Sequence, residues 1–203
     1  MKKLNKEFYN RDSIIVAKEL LGKLLIHEID GIKLSAKIVE VEAYGGVTDK
    51  ASHSYGGKRT PRVEVMYGDA GHAYVFSIYG KYYCFNTVTN EKENPQAVLI
   101  RAVEPIEGIE FMSLKRYNKN FEQLTKAQKK GLTNGPSKLC EALDINKSLN
   151  GTNLCDTKIY LTDNDIKDIK VISTTRIGIN NSEEAKDYVW RFYIEGNDFV
   201  SVK

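Results

Sequence analysis

Two carboxylates and one arginine carry most of the chemistry that this chain offers. In Lys37-Ile38-Val39-Glu40-Val41-Glu42-Ala43, residues alternate with the period of a β-strand, which places Ile38, Glu40 and Glu42 on one face and the valines with Ala43 on the other. Side chains two apart on a strand stand roughly 7 Å from each other, within the range of a pair of hydrolytic carboxylates. Glu40 is expected to face solvent, the ordinary place for charge on a half-buried strand. Glu42 differs because Ala43-Tyr44-Gly45-Gly46 follows at once, so it stands where a strand runs into a flexible, aromatic-bearing loop. Arg101 interrupts the apolar run Ala97–Val103, and a buried guanidinium needs a carboxylate, a phosphate or a water as partner. His53 lies in the loop from Thr48 to Arg62; it reads as a surface histidine or, less commonly, as a ligand or proton partner. Lys58, Arg59 and Arg62 make that loop basic, and small residues beside basic ones suit contacts to phosphate. Lys138 follows Asn134-Gly135-Pro136-Ser137, where a helix with proline in its first turn would present free amides to an anion. The spacing is not that of a Walker motif.

The second concentration is aromatic. From Gly71 to Asn86 the chain holds Tyr74, Phe76, Tyr79, Tyr82, Tyr83 and Phe85. Alternation predicts a strand with Tyr74, Phe76 and Ile78 on one face and Val75 and Ser77 on the other, then a turn at Tyr79-Gly80-Lys81. Tyr74, Tyr83 and Phe85 are expected in a core. Tyr79 at the tip of a hairpin is an odd place for an aromatic ring, and it could serve as a wedge offered to something flat.

The elements that must position these groups can be read around them. Asp12-Ser13 opens a helix that Gly22 closes, and Leu24–Ile29 and Ile32–Ala43 form two strands joined at Asp30-Gly31. Ile106–Arg116 and Gln123–Leu132 read as surface helices with a basic, solvated face. Strand-like runs follow at Lys158–Leu161, Ile169–Ile179 and Trp190–Ile194, with a short helix from Ser182 between the last two. No repeat or linker divides the 203 residues, so one domain over residues 1–203 is expected. A composition of 41% hydrophobic and 28% charged residues is that of a soluble globular protein, while a net charge of +3 says little about partners. Cys84, Cys140 and Cys155 are odd in number and widely spaced, which argues against a disulfide framework or a structural zinc site and for reduced thiols in a cytosol. The opening Met-Lys-Lys-Leu-Asn-Lys-Glu-Phe lacks the apolar core of a secretory signal, and no run approaches a membrane span.

Several segments converge on one family. Glu42-Ala43-Tyr44, Ala51-Ser52-His53-Ser54, Tyr74-Val75-Phe76 with Tyr79-Gly80, Asn86, Val98-Leu-Ile-Arg101-Ala-Val-Glu-Pro105, and Gly135-Pro136-Ser137-Lys138-Leu139-Cys140 with Ile145-Asn146-Lys147-Ser148 resemble the alkyladenine (3-methyladenine) DNA glycosylases, in that family's order and over nearly the whole chain. The resemblance implies a mixed α/β, α+β-like single domain: a curved, mostly antiparallel central sheet with surrounding helices and a protruding β-hairpin. It implies a monofunctional base-excision repair enzyme acting on double-stranded DNA with damaged purines, monomeric, cytoplasmic or at the nucleoid, with no cofactor and no metal. Glu42 would activate water and Arg101 would help hold it. Tyr44, His53 and Phe76 would stack the extruded base, Asn86 would sit beside its edge and Tyr79 would fill the gap in the duplex; Lys58, Arg59 and Lys138 are candidates for the DNA backbone. One departure is Phe76, where better-known members carry tyrosine, so a hydroxyl contact is missing. Two other classes remain open on the residues alone. A minor-groove architectural protein would use Tyr79 as a wedge and leave Glu42 and Arg101 idle; a nucleoside or glycoside hydrolase would use Glu40 with Glu42 and have no use for the wedge.

Overall fold

The computed structural model describes residues 2–164, 166 and 168–203, so Met1 of the opening stretch lies outside it. The chain begins with a single helical turn, α1 (Lys6–Tyr9), which the sequence did not announce, and α2 (Ser13–Leu20), capped by Asp12 accepting from the Ile14 amide. Gly22, at φ +84°, then turns the chain into β1 (Leu24–Ile29) and β2 (Ile32–Tyr44). Asp30 and Gly31 both take positive φ, the mirror-image turn that matches strand twist. Next come β3 (Ala73–Ile78), β4 (Tyr82–Thr89), β5 (Gln96–Glu107), α3 (Ile109–Tyr117), α4 (Lys126–Lys130), α5 (Pro136–Ala142), β6 (Ile159–Thr162), β7 (Val171–Thr174) and β8 (Arg191–Ile194).

All pairings among these strands are antiparallel, in the order β3-β4-β5-β2-β1-β6, with β8 also on β2 and β7 on β8. The architecture is a curled antiparallel sheet in a mixed α+β domain, with α2, α3 and α5 packed on one face. Val16, Ala17 and Leu20 of α2, Met112 of α3 and Leu139 of α5 share one core with Ile38, Val41 and Ala43 of β2 and Val98, Ile100 and Val103 of β5. The opposite face of β2 to β5 is left to line a cavity.

Several sequence readings are corrected here. The helix expected over Ile106–Arg116 starts at Ile109, because β5 continues to Glu107 as the partner of Ser35. The helix expected over Gln123–Leu132 is only Lys126–Lys130, since Thr125 caps it by accepting from the Gln128 amide. The strand expected over Ile169–Ile179 is Val171–Thr174; past it the chain leaves the sheet. The predicted helix after Ser182 is a 3₁₀ turn, Glu183–Asp187.

The largest correction concerns β2. Strict alternation fails at two bulges: the register with β5 skips Val39 between Ile38 and Glu40, and skips Arg101 between Ala102 and Ile100. Ile38 therefore joins Val41 in the main core, and Val39 packs with Ala102 and Val200 on the other side. Bulges re-aim side chains. Here they bring Glu40, Glu42 and Arg101 together, and Glu40, expected at the surface, is fully buried.

Candidate active site

Glu40 and Glu42 are both completely buried, and Arg101, 7% exposed, lies between them. Its Nε is 3.2 Å from Glu40 Oε1 and its Nη1 is 3.2 Å from Glu42 Oε1. Burial opposes the charge on Arg101, and the two carboxylates outweigh it, so its pKa stands above the ordinary value. Glu40 is occupied from every side: it also accepts from Arg191 Nη1 at 2.8 Å, the Ser201 amide at 2.7 Å and the Ser201 hydroxyl at 2.9 Å. That explains how a carboxylate tolerates the interior.

Glu42 is held differently. Oε1 accepts the Ile177 amide at 2.7 Å and Oε2 accepts the Tyr44 hydroxyl at 2.8 Å. The partners are all donors, and Oε2 keeps acceptor capacity for one more. Glu42 does not itself line the cavity of about 720 Å³ on this face of the sheet, but three residues that touch it, Tyr44, Arg101 and Ile177, do. Burial, then the charge of Glu42 and its hydrogen bond, push the Tyr44 hydroxyl well above its usual range, so it stays a donor.

Tyr44 is backed by an arginine that the sequence reading did not single out. Arg176, 5% exposed, places Cζ 4.9 Å from the Tyr44 ring centroid and 5.1 Å from that of Trp190. It pairs with Asp49 through Nη1 at 2.5 Å and Nη2 at 2.8 Å, and donates to the carbonyls of Ala43 and Ala185. Asp49 in turn accepts the amides of Gly45 and Ala51. One guanidinium thus ties the end of β2, the loop carrying His53 and the cavity segment from Ile177 to one another. The fit is close where they meet: a Cβ on Gly45 would lie 3.0 Å from the Trp190 ring, so a larger residue would push that ring aside.

The far wall is aromatic. Tyr74, Phe76 and Ile78 line the cavity from β3 as alternation predicted, with Val75 in the core and Ser77 exposed. Tyr74 was expected in the core and is buried, yet its hydroxyl is 2.8 Å from His53 Nδ1, which makes it part of the site. The His53 ring meets that of Phe76 nearly edge-on at 4.7 Å. His53 is exposed at the rim, as a surface histidine was expected to be, but its ring packs against Tyr74 and Phe76; that desolvation, followed by the charges of Arg62 and Lys58, lowers its pKa to about 4, so the ring is neutral near pH 7. Asn86 donates from Nδ2 to the Tyr74 carbonyl at 2.9 Å, leaving its Oδ1 for whatever enters. Cys84 also lines the cavity, and burial raises its thiol to about 11, which makes it no nucleophile.

Tyr79 stands at the cavity mouth, 92% exposed, with φ +52° followed by Gly80 at +69°. The basic candidates separate. Lys58 is exposed; Arg59 is exposed but paired with both Glu64 and Glu93; Lys138 is partly buried at the start of α5 and donates to Asn134 Oδ1. The basic stretch beyond β5 is largely neutralised, with Lys115 on Asp144, Arg116 on Glu141 and Lys129 on Glu122. Among the described residues no group of three His, Cys, Asp or Glu side chains could hold a metal ion, and no helix is long and apolar enough to cross a membrane.

The sequence reading thus missed Asp49, Tyr74, Arg176, Arg191, Ser201 and the segment from Ile177 to Ser182. Only Arg191, in the strand beginning at Trp190, shared the signal that flagged Arg101, a cation inside a strand-like run.

Comparison with known proteins places the chain in a family. The family model for methylpurine-DNA glycosylase (MPG) matches residues 7–198. A protein of Desulfitobacterium hafniense (strain Y51) named "Putative 3-methyladenine DNA glycosylase" is 62% identical over 203 residues, covering 100% of both chains. Proteins of the same name from Clostridium acetobutylicum, 57% identical over 200 residues with 98% of each chain covered, and from Clostridium novyi (strain NT), 55% identical over 203 residues with 100% covered, are similar throughout. With a match across nearly its whole length, the chain belongs to the methylpurine-DNA glycosylase family.

Proposed function

We propose that this protein excises alkylated purines such as 3-methyladenine from double-stranded DNA, taking the damaged nucleotide out of the stack and hydrolysing its N-glycosidic bond with water activated by Glu42. The observation that carries the reading is the contact between a buried carboxylate and a cavity-lining arginine, Glu42 with Arg101, directly behind an aromatic-lined cavity.

The chemistry follows from those groups. When an N-glycosidic bond breaks, its electron pair leaves with the purine and positive charge develops on the sugar. Glu42, oriented by Arg101, Tyr44 and the Ile177 amide, stabilises that charge and takes the proton of the attacking water. Arg101 bridges carboxylate and cavity, so it helps to hold the water. Extruding a base costs a few kcal/mol. Stacking on Tyr44, His53 and Phe76 offsets that cost on one side and insertion of Tyr79 offsets it on the other.

Two observations weigh against the alternatives. A wedge alone gives no reason to bury Glu42 and Arg101, since desolvation costs several kcal/mol per ion. A hydrolase using two carboxylates would need Glu40 free, and four donor contacts already engage it.

Incubating the protein with a duplex carrying one 3-methyladenine, beside methylated nucleoside and a binding assay, separates the three. Free base is expected from the duplex only, leaving an intact abasic strand, with EDTA without effect and no adduct trapped by borohydride. Binding without release would favour the architectural reading, nucleoside turnover the hydrolase reading, and a trapped adduct a lysine Schiff base instead of activated water.

A further inference from the structure

Two of the three candidate stacking rings, Tyr44 and Phe76, carry a guanidinium. Arg176 Cζ lies 4.9 Å from the centroid of Tyr44, and Arg62 Cζ lies 5.0 Å from that of Phe76. Neither arginine lines the cavity. The geometry is alike, but the electrostatics are not. Arg176 is bonded through two nitrogens to Asp49, so its charge is cancelled where it stands. Arg62 is exposed and, among the described residues, forms no ion pair; its contacts to protein are with neutral groups, the Ser77 carbonyl at 3.4 Å and the Tyr74 hydroxyl.

The charge on Arg62 is felt inside the cavity. It is the largest cause after burial of the lowered pKa of His53, and it partly offsets the burial that raises Tyr74 to about 12. A cation over one face of a ring also draws on the π density that the opposite face would offer a second cation.

We infer that Arg62 is a specificity-determining residue, an uncompensated cation behind Phe76 that favours electron flow onto the departing base and handicaps the binding of bases that arrive positively charged. The inference rests on the glycosylase reading above. In the reaction the C1′–N bond breaks with both electrons passing to the purine, the water oxygen bonds to C1′, and the proton from that water passes to Glu42. A purine methylated on a ring nitrogen goes from cationic to neutral. Hypoxanthine goes from neutral to anionic and then takes a proton from solvent. The change in charge on the base is the same, so Arg62 accelerates the bond-breaking step equally for both lesions. Binding differs, because only the methylated base is repelled before reaction. The repulsion cancels the acceleration in the ratio of rate to half-saturation for the methylated lesion and leaves it intact for the neutral one.

The experiment is single-turnover kinetics at varied enzyme concentration on duplexes carrying 3-methyladenine, hypoxanthine or no lesion, with wild type, Arg62→Gln and Arg62→Lys. Arg62 is exposed, so the variants are expected to fold. Arg62→Gln should lower the maximal rate about three- to tenfold on both lesions. Binding of the 3-methyladenine duplex, relative to undamaged duplex, should tighten by a similar factor while that of the hypoxanthine duplex stays the same. Arg62→Lys should retain most of the wild-type behaviour. An equal loss of binding to all three duplexes with the maximal rates unchanged would make Arg62 a phosphate contact and overturn the proposal, as would the absence of any change. A wild-type protein that released neither base would instead sink the glycosylase reading, and this one with it.

Discussion

The floor of the cavity and the tip of the β3–β4 hairpin are built on opposite terms. At the floor, Glu40, Glu42 and Arg101 give up water altogether and receive fixed partners in return, several of them from the last thirty residues of the chain. At the tip, Tyr79 gives up nothing: its ring is 92% exposed and its backbone sits at φ +52°, a conformation uncommon for a bulky residue. Charge development in a reaction is met best by groups that need not reorganise, which is what the floor supplies. Filling a gap in a base stack needs an apolar ring held out from the surface, and a strained two-residue turn supplies that. Function therefore leaves two signatures in one molecule, over-satisfied polar groups in one region and an unsatisfied apolar group in the other.

The floor is where the largest losses should come. Glu42→Gln keeps shape and most hydrogen bonds but removes the base and the negative charge. Excision under single turnover should fall on the order of a hundredfold or more, with binding of lesion DNA changed only a few-fold. Near wild-type excision would remove Glu42 from the mechanism.

Glu40→Gln tests whether the floor acts as one unit. Had Glu40 faced solvent, this change would be silent. Because it compensates Arg101 and Arg191 in the interior, its neutralisation should cost on the order of 3 kcal/mol in denaturant unfolding. Released from one of its two partners, Arg101 should also lose its position, so excision should fall about tenfold in protein that remains folded. Unchanged stability would mean that the ion-pair floor is not a unit, and full activity in a destabilised protein would confine Glu40 to folding.

How much of each region was legible in the sequence follows from the same contrast. The tip is local: Tyr79 and Gly80 are neighbours in a turn flanked by alternating strands, and period and turn chemistry suffice to place them. The Asp30-Gly31 hairpin, the capped α2 and the shared face of Tyr74, Phe76 and Ile78 were legible for the same reason, though Tyr74 was expected in a core and not at the cavity. The floor is not local. Glu40 meets a serine 161 residues away, and Glu42 meets an amide 135 residues away. The bulges at Val39 and Arg101 overrode the alternation that would have put Ile38 beside the glutamates, and no spacing rule announces a bulge in two long, apolar strands. Glu42, Arg101, Tyr44 and His53 emerged as chemical candidates, but what holds them did not. The strand read through Ile179 illustrates the cost: its apolar run ends at Thr174 because Arg176 is drawn to Asp49 and turns the following residues toward the cavity.

At the tip the expected effects are smaller and depend on the partner. Tyr79→Ser removes the ring without touching the floor, so excision from duplex DNA should fall about tenfold, an amount in the range of lost base–aromatic stacking. On the same lesion in a single strand there is no gap to fill and the loss should be under threefold. Measured side by side, equal losses on both substrates would make Tyr79 a pocket or folding residue and erase the distinction between the two regions.

The smallest effect is expected between the two regions, on the aromatic wall at Phe76. Tyr74 already commits its hydroxyl to His53, so the wall offers the incoming base no phenolic donor of its own. A cationic, ring-methylated purine asks little of such a donor because it leaves as a neutral molecule. Hypoxanthine departs with negative charge and gains from any hydrogen bond or proton supplied as it leaves. The wild-type protein should accordingly release 3-methyladenine faster than hypoxanthine. Phe76→Tyr, which adds one hydroxyl to a ring already packed against His53 and Tyr74, should raise the hypoxanthine rate about threefold and leave the 3-methyladenine rate within twofold. Single-turnover rates on both lesions in one duplex context, with enzyme in excess, decide it. If hypoxanthine is released as fast as 3-methyladenine by the wild type, or if neither rate moves in the variant, the rates of the two lesions are not set by a donor at this wall.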